Sequence, residues 1–215
     1  MILRGKHTPP GDEAFRQSHK TKKDGNIDAN NILPAVTIRD PLVWLQSMCR
    51  HHYTAHSATL ASNHCPDFSS MSDPRFLQTW VQYSDFSRRY QSILHLWNDY
   101  YQEYLQASFP RLLVRFEDLL FHPKAVTKSL CECAGGSMNA GRFRYIVDSA
   151  KKGPTAHGNV RTGYIDALVK YGSANNRYQN FHSQDLEYIK QHVDKELMNV
   201  MQYPDISNTQ AKQVL

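Results

Sequence analysis

No stretch of this chain approaches the roughly 18 apolar residues of a membrane span, and the residues after Met1 hold no signal-peptide core. As printed, the chain reads as soluble and carries no address. It has no N-x-[ST] acceptor, so glycosylation lends secretion no support. No G-x-x-x-x-G-K-[ST] segment occurs, which removes an ordinary P-loop nucleotidase or kinase. Cysteine is scarce: Cys49, Cys65, Cys131 and Cys133 form no Cys-x-x-Cys pair, so zinc ribbons and fingers are excluded. Cys49 and Cys65 could bridge in an oxidising lumen, but buried free thiols are the expectation. His52 and His56 stand one helical turn apart without a carboxylate or cysteine to complete a site, and no metal is expected.

What is present is enough for one core. The 215 residues are 40% apolar, with 12 Tyr, 9 Phe and 3 Trp, which suits a globular domain rather than a disordered chain. The formal net charge of +5 fits an anionic ligand. It fits nucleic acid as well, but Lys and Arg are dispersed and no zinc-finger or RRM signature occurs, so a nucleic-acid partner is not expected.

Residues 8–32 are polar and without apolar period, so residues 1–32 are assigned to an N-terminal loop segment, 33–203 to the domain and 204–215 to a flexible tail. Leu33 to Ile38 is a short β-branched apolar run of the kind that forms a buried parallel strand. Asp40 followed by Pro41 supplies an N-cap and a first-turn proline, so a helix opens at once, with Leu42, Leu45, Met48 and Cys49 at helical spacing. Residues 54–86 read as irregular, and a long helix is predicted over about 87–107. A second strand runs from Leu112 to Phe116. A helix of about 123–134 opens at Pro123, and Phe143 to Asp148 could open another. A last helix starts near Ser183, with Leu186, Ile189, Val193 and Leu197 on one side. Strands alternating with helices predict an α/β fold, a parallel sheet flanked by helices.

In such sheets ligands bind beyond the carboxyl ends of the strands, where Arg39 stands. A guanidinium there, with the Ser47 hydroxyl two turns into the following helix, makes a good phosphate grip because the fork gives paired charge-assisted bonds. The residues alone leave a second reading open, in which Arg39 pairs with Asp40 or Glu117 and Ser47 merely packs. Lys151, Lys152 and Gly153 form a further anion candidate in a glycine-containing turn.

The segment Arg39-Asp40-Pro41-x-x-Trp44-x-x-Ser47-x-x-Arg50 resembles the one with which sulfotransferases hold the 3′-phosphate of 3′-phosphoadenosine 5′-phosphosulfate. Trp97-x-x-Tyr100-Tyr101, Val114 to Leu119, and Pro123 with Cys131 to Gly136 also look like that family's elements, so the resemblance spans roughly residues 33–200. It implies a P-loop NTPase-like fold and sulfuryl transfer from that donor, without a metal, to a hydroxyl or amine on a small molecule or carbohydrate. Arg39 and Ser47 would bind the 3′-phosphate, and Lys151, Lys152 and Gly153 would close over it. Gly5-Lys6-His7-Thr8-Pro9-Pro10 is loosely similar to the family's segment carrying the catalytic histidine. His7 would then act as general base, with Lys6 neutralising charge on the sulfuryl group; otherwise the two are an exposed pair in a loop. The family's first strand and its lysine-bearing phosphate loop have no counterpart here. The chain is therefore expected to be truncated or divergent at its start and to show little transfer alone. The alternative is a non-enzymatic member that binds a nucleotide or a protein. The compartment stays open between the cytoplasm and, behind an upstream anchor, the Golgi lumen.

Overall fold

The computed structural model describes residues 33–61, 63–69, 78–82, 87–138, 143–145 and 163–206. Two small sheets organise them. Strands β1 (Ala35–Ile38) and β5 (Leu112–Arg115) pair in parallel, with Ala35 opposite Leu112 and Ile38 opposite Arg115. Strands β2 (Ala55–Ser57), β3 (Thr79–Gln82) and β4 (Ser87–Tyr90) form an antiparallel sheet in the order β2-β3-β4. The expected α/β class with a parallel pair and flanking helices is present; the antiparallel sheet was not foreseen.

Helix α1 (Pro41–Arg50) starts where the sequence predicts, and for the predicted reason. Asp40 Oδ1 accepts from the Leu42 and Val43 amides at 2.9 and 3.3 Å, and proline at the first helical position has no amide to lose. Leu42 and Leu45 are fully buried and Met48 nearly so. Helix α2 (Ile93–Gln106) is shorter than predicted. Residues 87–90 do not open it: they pair with β3, with Ser87 opposite Gln82 and Tyr90 opposite Thr79. Ser92 then caps the helix through its hydroxyl, which accepts from His95 N at 3.3 Å. Helix α2 lies along β1, where the Tyr101 hydroxyl donates to Thr37 O at 3.2 Å and Trp97 Nε1 donates to Arg39 O at 3.0 Å.

Strand β5 ends one residue early, because Phe116 opens helix α3 (Phe116–Phe121); α4 (Pro123–Cys133) follows as expected. Helices α5 (Tyr164–Gly172) and α6 (Ala174–Arg177) come next. The single last helix is two, α7 (Ser183–His192) and α8 (Lys195–Val200). Val193 breaks the run in an extended conformation, and Asp194 caps α8 through Leu197 N at 3.0 Å. Val193 and Leu197 still reach the core with Leu186 and Ile189, which is why the periodicity looked continuous. Ile206 is 3% exposed in the same core, so packing runs past the boundary drawn at 203.

Cys49 and Cys65 form a disulfide, with their α-carbons 5.7 Å apart. This corrects the expectation of free thiols. The last turn of α1 and the 63–69 segment come together in three dimensions, which the stretch between the two cysteines does not reveal.

Candidate anion-binding site

The carboxyl ends of β1 and β5 are adjacent, and the chain leaves each into a helix, α1 and α3. That junction is heavily hydrogen-bonded. Asp40, 3% exposed, turns its second oxygen to Arg177 Nε at 2.6 Å. The Asp40 amide donates to Glu117 Oε1 at 3.1 Å, and Tyr203 OH donates to Glu117 Oε2 at 3.1 Å. Arg115 bonds both oxygens of Asp118, at 2.8 and 2.6 Å, and the carbonyls of Met201 and Gln202. Arg177 also reaches Pro204 O and the Tyr178 hydroxyl. Burial pushes the Asp40 carboxyl up, against the pull of Arg177 and of the two capped amides. Burial raises Glu117 too, opposed by the amides it accepts from.

Arg39 stands apart from this network. Its guanidinium lies 3.9 Å over the Phe116 ring and 5.8 Å from the centre of the Tyr171 ring, and these two rings meet edge to face. The pairing of Arg39 with Asp40 or Glu117 that the residues alone left open is not made. Asp40 belongs to Arg177, and Glu117 belongs to the Asp40 amide and Tyr203. The aromatic seat holds the Arg39 fork, and among the described residues no acceptor takes its N–H groups. Ser47 and Arg50 sit one turn apart on α1, Ser47 half-buried and Arg50 exposed. Among the described residues no hydrogen bond to the Ser47 hydroxyl is made.

The N-terminus of α1 is not open to an anion, since Asp40 accepts the Leu42 and Val43 amides and its carbonyl accepts Trp44 N. An anion here is held by side chains. Helix α5 adds a cation absent from the sequence reading. Lys170 Nζ lies 5.6 Å from the centre of the Tyr171 ring, so Lys170 and Arg39 flank one aromatic side chain. Burial, and then the charges of Arg50 and Arg39, push the Lys170 ammonium pKa down. His7, Lys6, Lys151, Lys152 and Gly153 lie outside the described residues.

A second cluster escaped notice because its members are far apart in sequence. His64 Nε2 and Asp185 Oδ2 are 2.7 Å apart, and the rings of His64 and His182 stack at 3.5 Å with their planes 2° apart. Fully buried Asp185 also accepts from Phe68 N at 2.7 Å and His182 N at 2.8 Å. The three side chains are close enough to suggest a cation, but imidazole lone pairs lie in the ring plane. Between parallel rings a shared ion would sit half the spacing, about 1.75 Å, from each plane, most of a Zn–N bond of roughly 2.0–2.1 Å. The cluster instead ties the segment around Cys65 to the start of α7. The only hint in the sequence is Asp185 within the cap of a predicted helix.

No protein-family model, curated protein or solved structure matches the chain.

Proposed function

We propose that this chain binds 3′-phosphoadenosine 5′-phosphosulfate through Arg39 and Ser47 and transfers its sulfuryl group to a hydroxyl or amine of a small molecule or carbohydrate. One observation carries the reading: Arg39 sits at the carboxyl end of a parallel strand, seated on Phe116, with both neighbouring carboxylates committed elsewhere. A guanidinium kept in this way is suited to paired bonds with a phosphate. The eight-residue spacing from Arg39 to Ser47 is that of the resemblance.

In the reaction the acceptor oxygen or nitrogen forms a bond to sulfur while the bond from sulfur to the bridging phosphate oxygen breaks. 3′-Phosphoadenosine 5′-phosphate leaves, and the acceptor proton passes to a base. His7 is assigned that proton, Lys6 the charge developing on the sulfuryl oxygens, and Lys151, Lys152 and Gly153 closure over the 3′-phosphate. Positioning donor and acceptor in line supplies most of the effect, and no metal is required for it. The test is transfer of labelled sulfate from the donor to a panel of sugars, phenols and amines. Transfer that disappears in Arg39→Ala supports the reading. Nucleotide binding with no transfer to any acceptor favours a non-enzymatic nucleotide-binding module. Neither binding nor transfer overturns both.

A further inference from the structure

Two cations outside the Arg39–Ser47 pair bear on this site. Arg50 is one turn beyond Ser47 on α1, and Lys170 is in the last turn of α5. A chain of hydrogen bonds fixes the second helix against the first. Gln46 Nε2 donates to the Asn176 and Arg177 carbonyls at 3.0 and 2.9 Å, and Asn176 Nδ2 donates to Lys170 O at 3.0 Å. At its other end α5 is held on α3 by the Tyr164 hydroxyl, which donates to Leu120 O at 3.1 Å. The Lys170 backbone is thus located relative to Arg50, four residues past Gln46, and its ammonium shares the Tyr171 ring with Arg39.

Among the described residues no carboxylate forms an ion pair with Arg39, Arg50 or Lys170. The acidic groups at this junction are spoken for: Asp40 by Arg177, Asp118 by Arg115, and Glu117 by an amide and a hydroxyl. Burial comes first in lowering the basicity of Lys170, and the charges of Arg50 and Arg39 add to it by repulsion. An anion of charge minus two relieves it, because each cation then gains an opposite charge where it had only like ones.

We propose that Lys170 and Arg50 complete, with Arg39 and Ser47, a cradle for a phosphomonoester dianion, with α5 as its outer wall. Identification of that phosphomonoester as the 3′-phosphate of the donor rests on the function proposed above; the cradle itself does not. Lys170 is a binding residue, supplying a movable point charge opposite the rigid Arg39 fork. A terminal phosphate fits the arrangement better than a bridging diester, since its three free oxygens can meet three donors from three directions.

The test is calorimetric titration of the whole chain with 3′-phosphoadenosine 5′-phosphate, 5′-AMP and inorganic phosphate. It compares wild type with Lys170→Met, which keeps the apolar stem over Tyr171, and with Arg50→Gln at an exposed position where folding is not at stake. Each loss of a charge-assisted contact is expected to weaken phosphate binding on the order of tenfold or more. If the bisphosphate binds more tightly than 5′-AMP and both variants remove that advantage, the cradle and the donor assignment stand together. If all three ligands bind alike and both variants still weaken them, the cradle stands and the donor assignment fails. If the bisphosphate is preferred and neither variant changes its affinity, the donor assignment survives and the cradle is overturned. Absence of binding by any of the three overturns the cradle outright.

Discussion

Replacing Cys49 and Cys65 together by alanine should lower stability by about 3 kcal/mol. The bridge closes a loop across a sequence separation of 16, and the chain-entropy cost of leaving such a loop open in the unfolded state is roughly that size. The folded state should change little. The 63–69 segment keeps its other anchor, the two bonds that Asp185 accepts from His64 and Phe68 N, and α1 keeps its Asp40 cap and its buried apolar face. The effect therefore acts mainly on the unfolded chain. For a protein of this length, 3 kcal/mol corresponds to a fall in Tm of about 6–12 °C. Scanning calorimetry of the oxidised wild type against the double variant reads it directly. Thiol labelling in urea without reductant gives an independent reading: only the free Cys131 and Cys133 should react. Labelling of all four cysteines, or melting temperatures within 2 °C of each other, would refute the reasoning.

Asp40→Ala removes the partner of Arg177 in a nearly buried pair and the cap of α1 at once; urea unfolding should show a loss of about 3–5 kcal/mol, and a loss below about 1 kcal/mol would mean that water already screens the site. Glu117→Gln keeps one acceptor for the Asp40 amide and can donate to the Tyr203 oxygen, so the fold should hold. Burial raises the Glu117 carboxyl above its ordinary 4.5, so its favourable share of stability is present below that value and lost as pH rises through the raised one. The stability of the glutamine variant relative to wild type should therefore improve between mildly acidic and neutral pH; a flat or opposite trend in paired denaturation curves would disprove it. Arg39→Ala should weaken binding of 3′-phosphoadenosine 5′-phosphate more than Lys151→Ala, because a seated fork makes paired bonds and a lysine makes single ones. The reverse order would put the phosphate elsewhere.

What the sequence made legible were the features whose cause is local. The Asp40–Pro41 start of α1, the apolar strands β1 and β5 and the Pro123 start of α4 each follow from neighbouring residues, and all are found. The antiparallel sheet was hidden because β2 is only Ala55-His56-Ser57 and β4 is Ser87-Arg88-Arg89-Tyr90, too short and too polar for an alternating pattern. The disulfide, the Asp185 tie and the approach of Lys170 to Arg39 depend on segments far apart in the chain, and no periodicity reports those. At the site, Arg39 and Ser47 were legible from their spacing. That Arg39 escapes Asp40 and Glu117 was not, because it turns on where Arg177 and Tyr203 arrive. Arg177 takes Asp40, the carboxylate next to Arg39 in the chain.

The central claim is that the Arg39 end of the parallel pair recognises the 3′-phosphate of an adenosine nucleotide. Calorimetric titration of the wild-type chain and Arg39→Ala with 3′-phosphoadenosine 5′-phosphate and with 5′-AMP tests it most directly. The wild type should prefer the bisphosphate by on the order of tenfold or more, as two charge-assisted bonds of roughly 1.5–3 kcal/mol each allow, and Arg39→Ala should bind the two nucleotides alike. Equal affinities in the wild type, or a preference that survives the loss of Arg39, would contradict the account.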